Sequence, residues 1–257
     1  MLRSITEMEG YKIHAIDGEL GIVYDFFFDD ISWNIRYLVA DTGNWFRSRL
    51  VLISPASLGE PNWQEQFFPI NMTKEKIKNS PPIDTEKVIS KQMETHLRDY
   101  YGWPYYWTGL AARIPSVIPM QPDSFLETER LLKKDTQEQK SEPEHTLRST
   151  RDVIDYKIQA QDGEIGNIDD FIVEDGTWSI RYVAVDTGNW LLPGKKVLIS
   201  LPWIKNIDWK QSKVFVDLSK EEVKESPEYD PTKTINRAYE KDLHNYYKKP
   251  HYWEGEE

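Results

Sequence analysis

The chain repeats itself. When Leu2 is set against Leu147, "LRS" meets "LRS", "YKI" meets "YKI", "DGE" meets "DGE", "IRY" meets "IRY" and "DTGNW" meets "DTGNW", all at one offset of 145. One inserted residue near Pro193 moves the offset to 146. From there "VLIS" at Val51 meets "VLIS" at Val197, Trp63 meets Trp209, Ser80 meets Ser226, and Tyr106 meets Tyr252. Self-similarity over so long a period is met by two copies of one fold, not by one irregular domain. The expected organisation is a first copy over residues 1–108, a linker over 109–146 and a second copy over 147–257.

The linker has no counterpart. It opens with "GLAARIPSVIPMQP", where Pro115, Pro119 and Pro122 interrupt helix and sheet alike, and continues into a charged stretch poor in large apolar groups. An extended spacer is expected, with one short helical turn around Phe125 to Lys134; docking of Ile114 to Met120 is the lesser alternative.

Within each copy, β-prone runs flank Asp17-Gly18 and Asp162-Gly163, and Asp-Gly is a strong hairpin signal because both residues tolerate positive φ. Further runs follow at "WNIRYLVAD", "RLVLIS" and "QFFPIN", with "KVFVDL" in the second copy. Five or six short antiparallel strands joined by tight turns predict a small closed or nearly closed barrel. A helical tail comes next. Thr73 and Ser219 stand where N-caps belong, and Ser219 with Glu222 forms a capping-box pattern. After Asp84 and Asp230, apolar residues recur every fourth position: Ile89, Met93, Leu97 and Tyr101, then Ile235, Tyr239, Leu243 and Tyr247. That spacing predicts an amphipathic helix laid on the barrel.

Composition narrows the function classes. The net charge of -11 weighs against a nucleic-acid partner, which would need a basic face. The absence of cysteine excludes disulfides and thiolate chemistry and suits a reducing cytoplasm. No run approaches the roughly 18 to 20 apolar residues of a membrane span, so membrane insertion is not expected.

The motifs "DGELG" and "DGEIG", "IRYLVADTG" and "IRYVAVDTG", "VLIS", and "INMTKEKIKNSP" and "VDLSKEEVKESP" resemble the PRC-barrel family, named for the cytoplasmic part of the photosynthetic reaction-centre H subunit and found also in ribosome-maturation factors. The tail "LRDYYGWPYYW" resembles the ending of free-standing bacterial members. The resemblance implies a mainly β chain of two small antiparallel barrels, each with a C-terminal helical tail. It implies docking modules with no catalytic residues and no cofactor. The chain lacks both the membrane helix of the H subunit and the companion domain of the ribosome factors.

Two Asp-Thr-Gly triplets also raise an aspartic hydrolase using Asp41 and Asp186. Such an enzyme holds two carboxylates about 3 Å apart to share one proton. Here each triplet is followed by Asn and a bulky Trp, which fits a chain reversal in which Asp bonds the turn amides and Gly supplies positive φ. His14, His96, His145, His244 and His251 show no metal-ligand spacing and read as surface or incidental residues. The acidic stretches Asp25 to Asp30 and Asp169 to Asp175 fail the calcium-loop pattern and read as solvated strand ends.

Candidate contact residues are therefore aromatic: Tyr100, Tyr101, Trp103, Tyr105, Tyr106 and Trp107 in one tail, Tyr246, Tyr247, Tyr252 and Trp253 in the other. They suit a latch over the barrel or a protein-binding patch. The expected function is a non-enzymatic scaffold or adaptor acting on an unidentified protein partner, by homodimerisation or by intramolecular pairing of its barrels. A ribosome- or RNA-associated assembly factor and a photosynthetic-complex-associated protein are the alternatives.

Overall fold

The structure is a computed structural model that describes residues 1–43, 49–81, 83, 89–103, 106, 146–188 and 194–255. The linker with its Ile114 to Met120 and Phe125 to Lys134 segments, Pro193, Asp84, and the Asn-Trp pair after each Asp-Thr-Gly lie outside these residues. The protein is mainly β, with two mixed sheets and few helices.

In the first copy the strands are β1 (Leu2–Ser4), β2 (Lys12–Ala15), β3 (Gly18–Asp29), β4 (Ile35–Asp41), β5 (Leu50–Ile53) and β6 (Phe67–Ile70). Helix α1 (Ile5–Met8) separates β1 from β2, and α2 (Lys74–Lys78) and α3 (Lys91–Tyr101) follow β6. The second copy repeats this order with β7 (Leu147–Ser149), α4 (Thr150–Val153), β8 (Lys157–Ala160), β9 (Gly163–Glu174), β10 (Ser179–Asp186), β11 (Lys196–Ser200), β12 (Ile204–Asp208), β13 (Lys213–Val216), α5 (Lys220–Glu225) and α6 (Arg237–Tyr247).

The chain divides into two compact units that do not follow the repeat boundaries at the first strand. One comprises Met8–Ser149 with Thr177–Ser179, the other Met1–Glu7 with Thr150–Gly176 and Ile180–Glu257. Strand β1 pairs antiparallel with β9, and β7 pairs antiparallel with β3. Each copy thus completes its sheet with the opening strand of the other copy.

The residues that hold this exchange are the repeated "LRS", one aspartate within each long strand and one just past its end. Ser149 Oγ donates to Asp25 at 2.6 Å, and the Arg148 guanidinium lies 3.1 Å from Asp30. In the other unit Ser4 Oγ donates to Asp170 at 2.5 Å, and Arg3 Nε lies 3.3 Å from Asp175. Asp25 and Asp170 are buried, and each also accepts from the backbone N–H of the phenylalanine that follows it. Burial raises the Asp170 carboxyl above the usual carboxylate range even with Ser4 and the Thr6 amide donating to it. The acidic stretches are therefore not solvated strand ends, as their composition suggests; their key carboxylates are interior acceptors. Trp178 also joins the first-copy unit, its carbonyl accepting from Ile35 N–H and its ring against Phe26 and Phe68.

The expectation of wholly antiparallel barrels is corrected. Strand β6 runs parallel to β2, and β13 parallel to β8. Parallel neighbours need a crossover connection, and the three strands between β2 and β6 supply it. Among the described residues no pairing joins β5 to β6 or β11 to β12, so neither path is closed by hydrogen bonds. The longer helices also begin later than the Asp84 and Asp230 signals suggest. Ser90 and Asn236 are their N-caps, and Asp230 instead accepts from Thr232 in a turn of its own.

The two signature motifs meet in space. A Cβ on Gly21 would lie 2.0 Å from the Asp41 carbonyl oxygen, and one on Gly166 would lie 1.9 Å from that of Asp186. Only glycine lets the "DGExG" strand cross the Asp-Thr-Gly turn this closely. Asp17 and Asp162 of the same motif accept the backbone N–H of Lys74 and Lys220, each at 2.8 Å, tying the hairpin to the start of α2 and α5.

Two substitutions test this frame. Gly166→Ala is expected to lower the unfolding free energy in urea by about 2 kcal/mol or more, because backbone must shift. Ser149→Ala is expected to cost about 1 to 3 kcal/mol by removing a donor from buried Asp25, with a double-mutant cycle against Asp25→Asn showing non-additivity.

Candidate functional site

Each Asp-Thr-Gly triplet is a turn. Asp41 Oδ1 accepts from Gly43 N–H at 2.8 Å and Arg49 N–H at 3.2 Å, while Thr42 Oγ1 donates to the Arg49 carbonyl. Asp186 accepts from Gly188 N–H at 2.7 Å, and Thr187 Oγ1 donates to the Lys195 carbonyl at 2.8 Å. The two aspartates belong to different compact units.

The aromatic tails organise a second, shared constellation in each unit. In the first-copy unit, Glu94 of α3 accepts from Tyr37 of β4 at 3.0 Å and from Tyr106 of the tail at 2.7 Å. Glu94, Tyr37 and Tyr106 are all buried. In the second-copy unit, Glu240 of α6 accepts from Tyr182 of β10 at 3.0 Å and from Tyr252 at 2.7 Å. One carboxylate thus clamps a sheet tyrosine to a tail tyrosine, twice. Burial and the facing carboxylate raise the hydroxyls of Tyr37, Tyr106 and Tyr182, so these groups stay protonated donors.

Cations accompany each clamp: Arg36 and Arg181 share a repeat position, whereas Arg98 and Arg237 do not. Around Tyr106 the Arg36 and Arg98 guanidinium carbons lie 4.1 and 4.3 Å from the ring centroid. Arg36 is itself buried, which lowers its pKa against the opposing pull of Asp29. Around Tyr252 the Arg181 guanidinium carbon sits 4.5 Å from the ring, and Arg237 pairs with Glu240 at 3.1 Å. The position of Arg98 is held in the second copy by His244, 1% exposed. Its Nδ1 donates to the Pro250 carbonyl at 2.8 Å, and Nε2 lies 3.1 Å from the Tyr182 hydroxyl. Burial lowers its pKa. His244 is thus an interior group, correcting its reading as a surface or incidental histidine.

The remaining tail residues are placed as follows. Trp103 Nε1 donates to Ser57 at 2.6 Å, and its ring stacks on Tyr101 at 4.2 Å. In the second copy Lys249 stands at the Trp103 position and Trp203 at the Ser57 position, and Trp203 packs against Tyr247 and His244. The Tyr100 hydroxyl donates to the Lys76 carbonyl of α2, and that of Tyr246 to the Glu222 carbonyl of α5. Burial pushes the Tyr101 and Tyr247 hydroxyls up to about 12. Trp253 stacks on His251 and faces Arg237. Tyr105 and Trp107 lie outside the described residues.

Sequence reasoning missed Tyr37, Glu94, Tyr182 and Glu240. A signal was present: both glutamates sit at one repeat position beside the apolar residues of the helix, and both tyrosines lie in "IRY". Among the described residues, no group of three or more His, Asp or Glu is placed to hold a metal ion, and no helix is long and apolar enough to cross a membrane.

Comparison with protein families places a PRC-barrel domain at residues 145–223. No curated protein matches the chain. The matched segment runs from the exchanged β7 to α5 and contains the second Asp-Thr-Gly turn.

Tyr182→Phe is expected to cost about 1 to 3 kcal/mol of unfolding free energy by depriving buried Glu240 of a donor, whereas Tyr246→Phe, on a half-buried ring, should cost less than about 1 kcal/mol. Because burial lowers the folded-state pKa of His244, the unfolded chain takes up a proton that the folded chain refuses. Its contribution to stability is present above about pH 6.5 and is lost as pH falls below it, a slope that His244→Gln should flatten in urea titrations at stepped pH.

Proposed function

We propose that the chain is a tandem PRC-barrel scaffold or adaptor that works through protein-protein contacts and performs no bond-breaking of its own. A PRC-barrel domain suggests a protein-interaction module, and the first copy, with the same element order apart from β12, is read as a second barrel of that kind. The observation that weighs most is the use made of the carboxylates. Asp41 and Asp186 bond the amides of their own turns, Asp25 and Asp170 hold the exchanged strands, and Glu94 and Glu240 clamp tyrosines. At these three repeated positions the carboxylates serve the fold.

The cysteine-free composition leads us to place this work in the cytoplasm. Affinity capture of the tagged chain from its native cells, after mild cross-linking, is expected to return a small, reproducible set of proteins, unchanged by nuclease treatment and equally returned by the Asp41→Asn/Asp186→Asn double variant. A set that disappears with nuclease would favour a nucleic-acid-bound assembly. Peptide turnover that the double variant abolishes would establish a hydrolase.

A further inference from the structure

The two copies differ sharply at one place on their outer surface. In the second copy Ile204–Asp208 forms β12 and pairs with β13 along its length. At the same position the first copy carries Gly59-Glu60-Pro61, and proline has no N–H to give a ladder. There only two isolated bridges remain, Leu58 with Ile70 and Asn62 with Phe67. Beside them lies a shallow, open groove of about 620 Å³ whose walls include Pro61, Trp63, Phe67 and Pro69.

The groove continues onto an apolar face that the second copy lacks. Phe67 stacks on His14 with ring centroids 4.4 Å apart. Ile16, Ile22 and Tyr24 of the neighbouring hairpin are 69%, 44% and 36% exposed. The equivalent second-copy residues are Lys213, Gln159, Gln161, Asn167 and Asp169. There the polar groups pair among themselves, Lys157 Nζ with Asn167 at 2.8 Å and Lys196 with Asp169 at 2.7 Å. One fold thus shows a saturated polar face in one copy and an exposed aromatic face in the other, so the fold does not require the aromatic face.

Charge and hydrogen bonding narrow the occupant. The groove wall carries Glu60 and no basic residue. Glu65 stands at its rim beside Asn62, and the nearby Lys12 is paired with Glu19 at 3.2 Å. Asn62 and Phe67 bond each other's backbone in both directions, at 3.0 and 3.1 Å, so these two residues offer an incoming β-strand no ladder partner. A polyproline II segment needs none, and rings and prolines are what such segments dock on. We propose that this groove binds an extended, proline-containing protein segment bearing Lys or Arg. The proposal rests on the docking-module reading and gives that reading its site and partner chemistry.

The test uses the full chain and a set of fluorescein-labelled peptides of about ten residues, each with two prolines and a flanking arginine. Control peptides replace the prolines with alanine or the arginine with glutamate. Fluorescence anisotropy is expected to show saturable binding that both controls lose and that added salt weakens. Trp63→Ala and Phe67→Lys should each weaken it at least about tenfold, while Lys241→Ala, on the exposed face of α6, should not. Phe67→Lys installs the residue that the second copy already tolerates, so a folding failure does not obscure the result. Absence of saturable binding across the set, or binding that both variants leave untouched, overturns the proposal. Affinity capture from cells with the wild type and Phe67→Lys separates the two readings. Partners retained by both sink the groove and leave the docking module standing; no partners with either removes both.

Discussion

The hydroxyl of a serine from one repeat bonded to a buried aspartate of the other is the contact on which the architecture turns. A carboxylate taken from water without partners costs several kcal/mol, so Asp25 and Asp170 make their positions habitable only when Ser149 and Ser4 arrive. The long strands β3 and β9 depend on the same arrival, because β2 and β8 pair with only their first halves. Their later residues, Phe26 to Phe28 and Phe171 to Val173, are buried and need a neighbour along the edge. The exchanged strand supplies both the hydrogen bonds and the donor.

The tyrosine clamps show which features each copy keeps and which it varies. The carboxylate and both hydroxyls stay in place at matching distances, whereas the guanidinium of Arg98 gives way to the buried imidazole of His244. The indole near the clamp also changes origin, coming from the tail as Trp103 in one copy and from the turn after β11 as Trp203 in the other. Large aromatic volume is needed at that place, and either element can fill it provided the other gives way. Ser57 opposite Trp103 and Lys249 opposite Trp203 are that concession.

Much of this was legible in the sequence, and the reasons for the rest are specific. The duplication, the hairpins at Asp17 and Asp162, the capping box at Ser219 and the turn nature of Asp-Thr-Gly rest on local chemistry that a short window contains. The exchange was not legible, since β1 and β7 have three residues each and no periodicity can be read over three. Only the identical "LRS" marked them. Parallel pairing of the last strand was missed because strand direction depends on the path of the whole sheet. The clamps were missed because a glutamate beside the apolar residues of a helix looks like an exposed residue until its two phenolic partners are found. The groove was missed because its origin is a difference between the repeats, and alignment draws attention to what they share.

Strand exchange also sets an order of events during synthesis. The first-copy sheet cannot be finished when its own last strand leaves the ribosome, because β7 lies beyond the linker. Strand β1, made before the rest of the first copy, waits longer still for β9. For that interval the nascent protein holds an unclosed edge with an acidic group facing it, and the acid keeps that edge hydrated. A side chain that steadies the finished molecule therefore also guards the unfinished one against premature association.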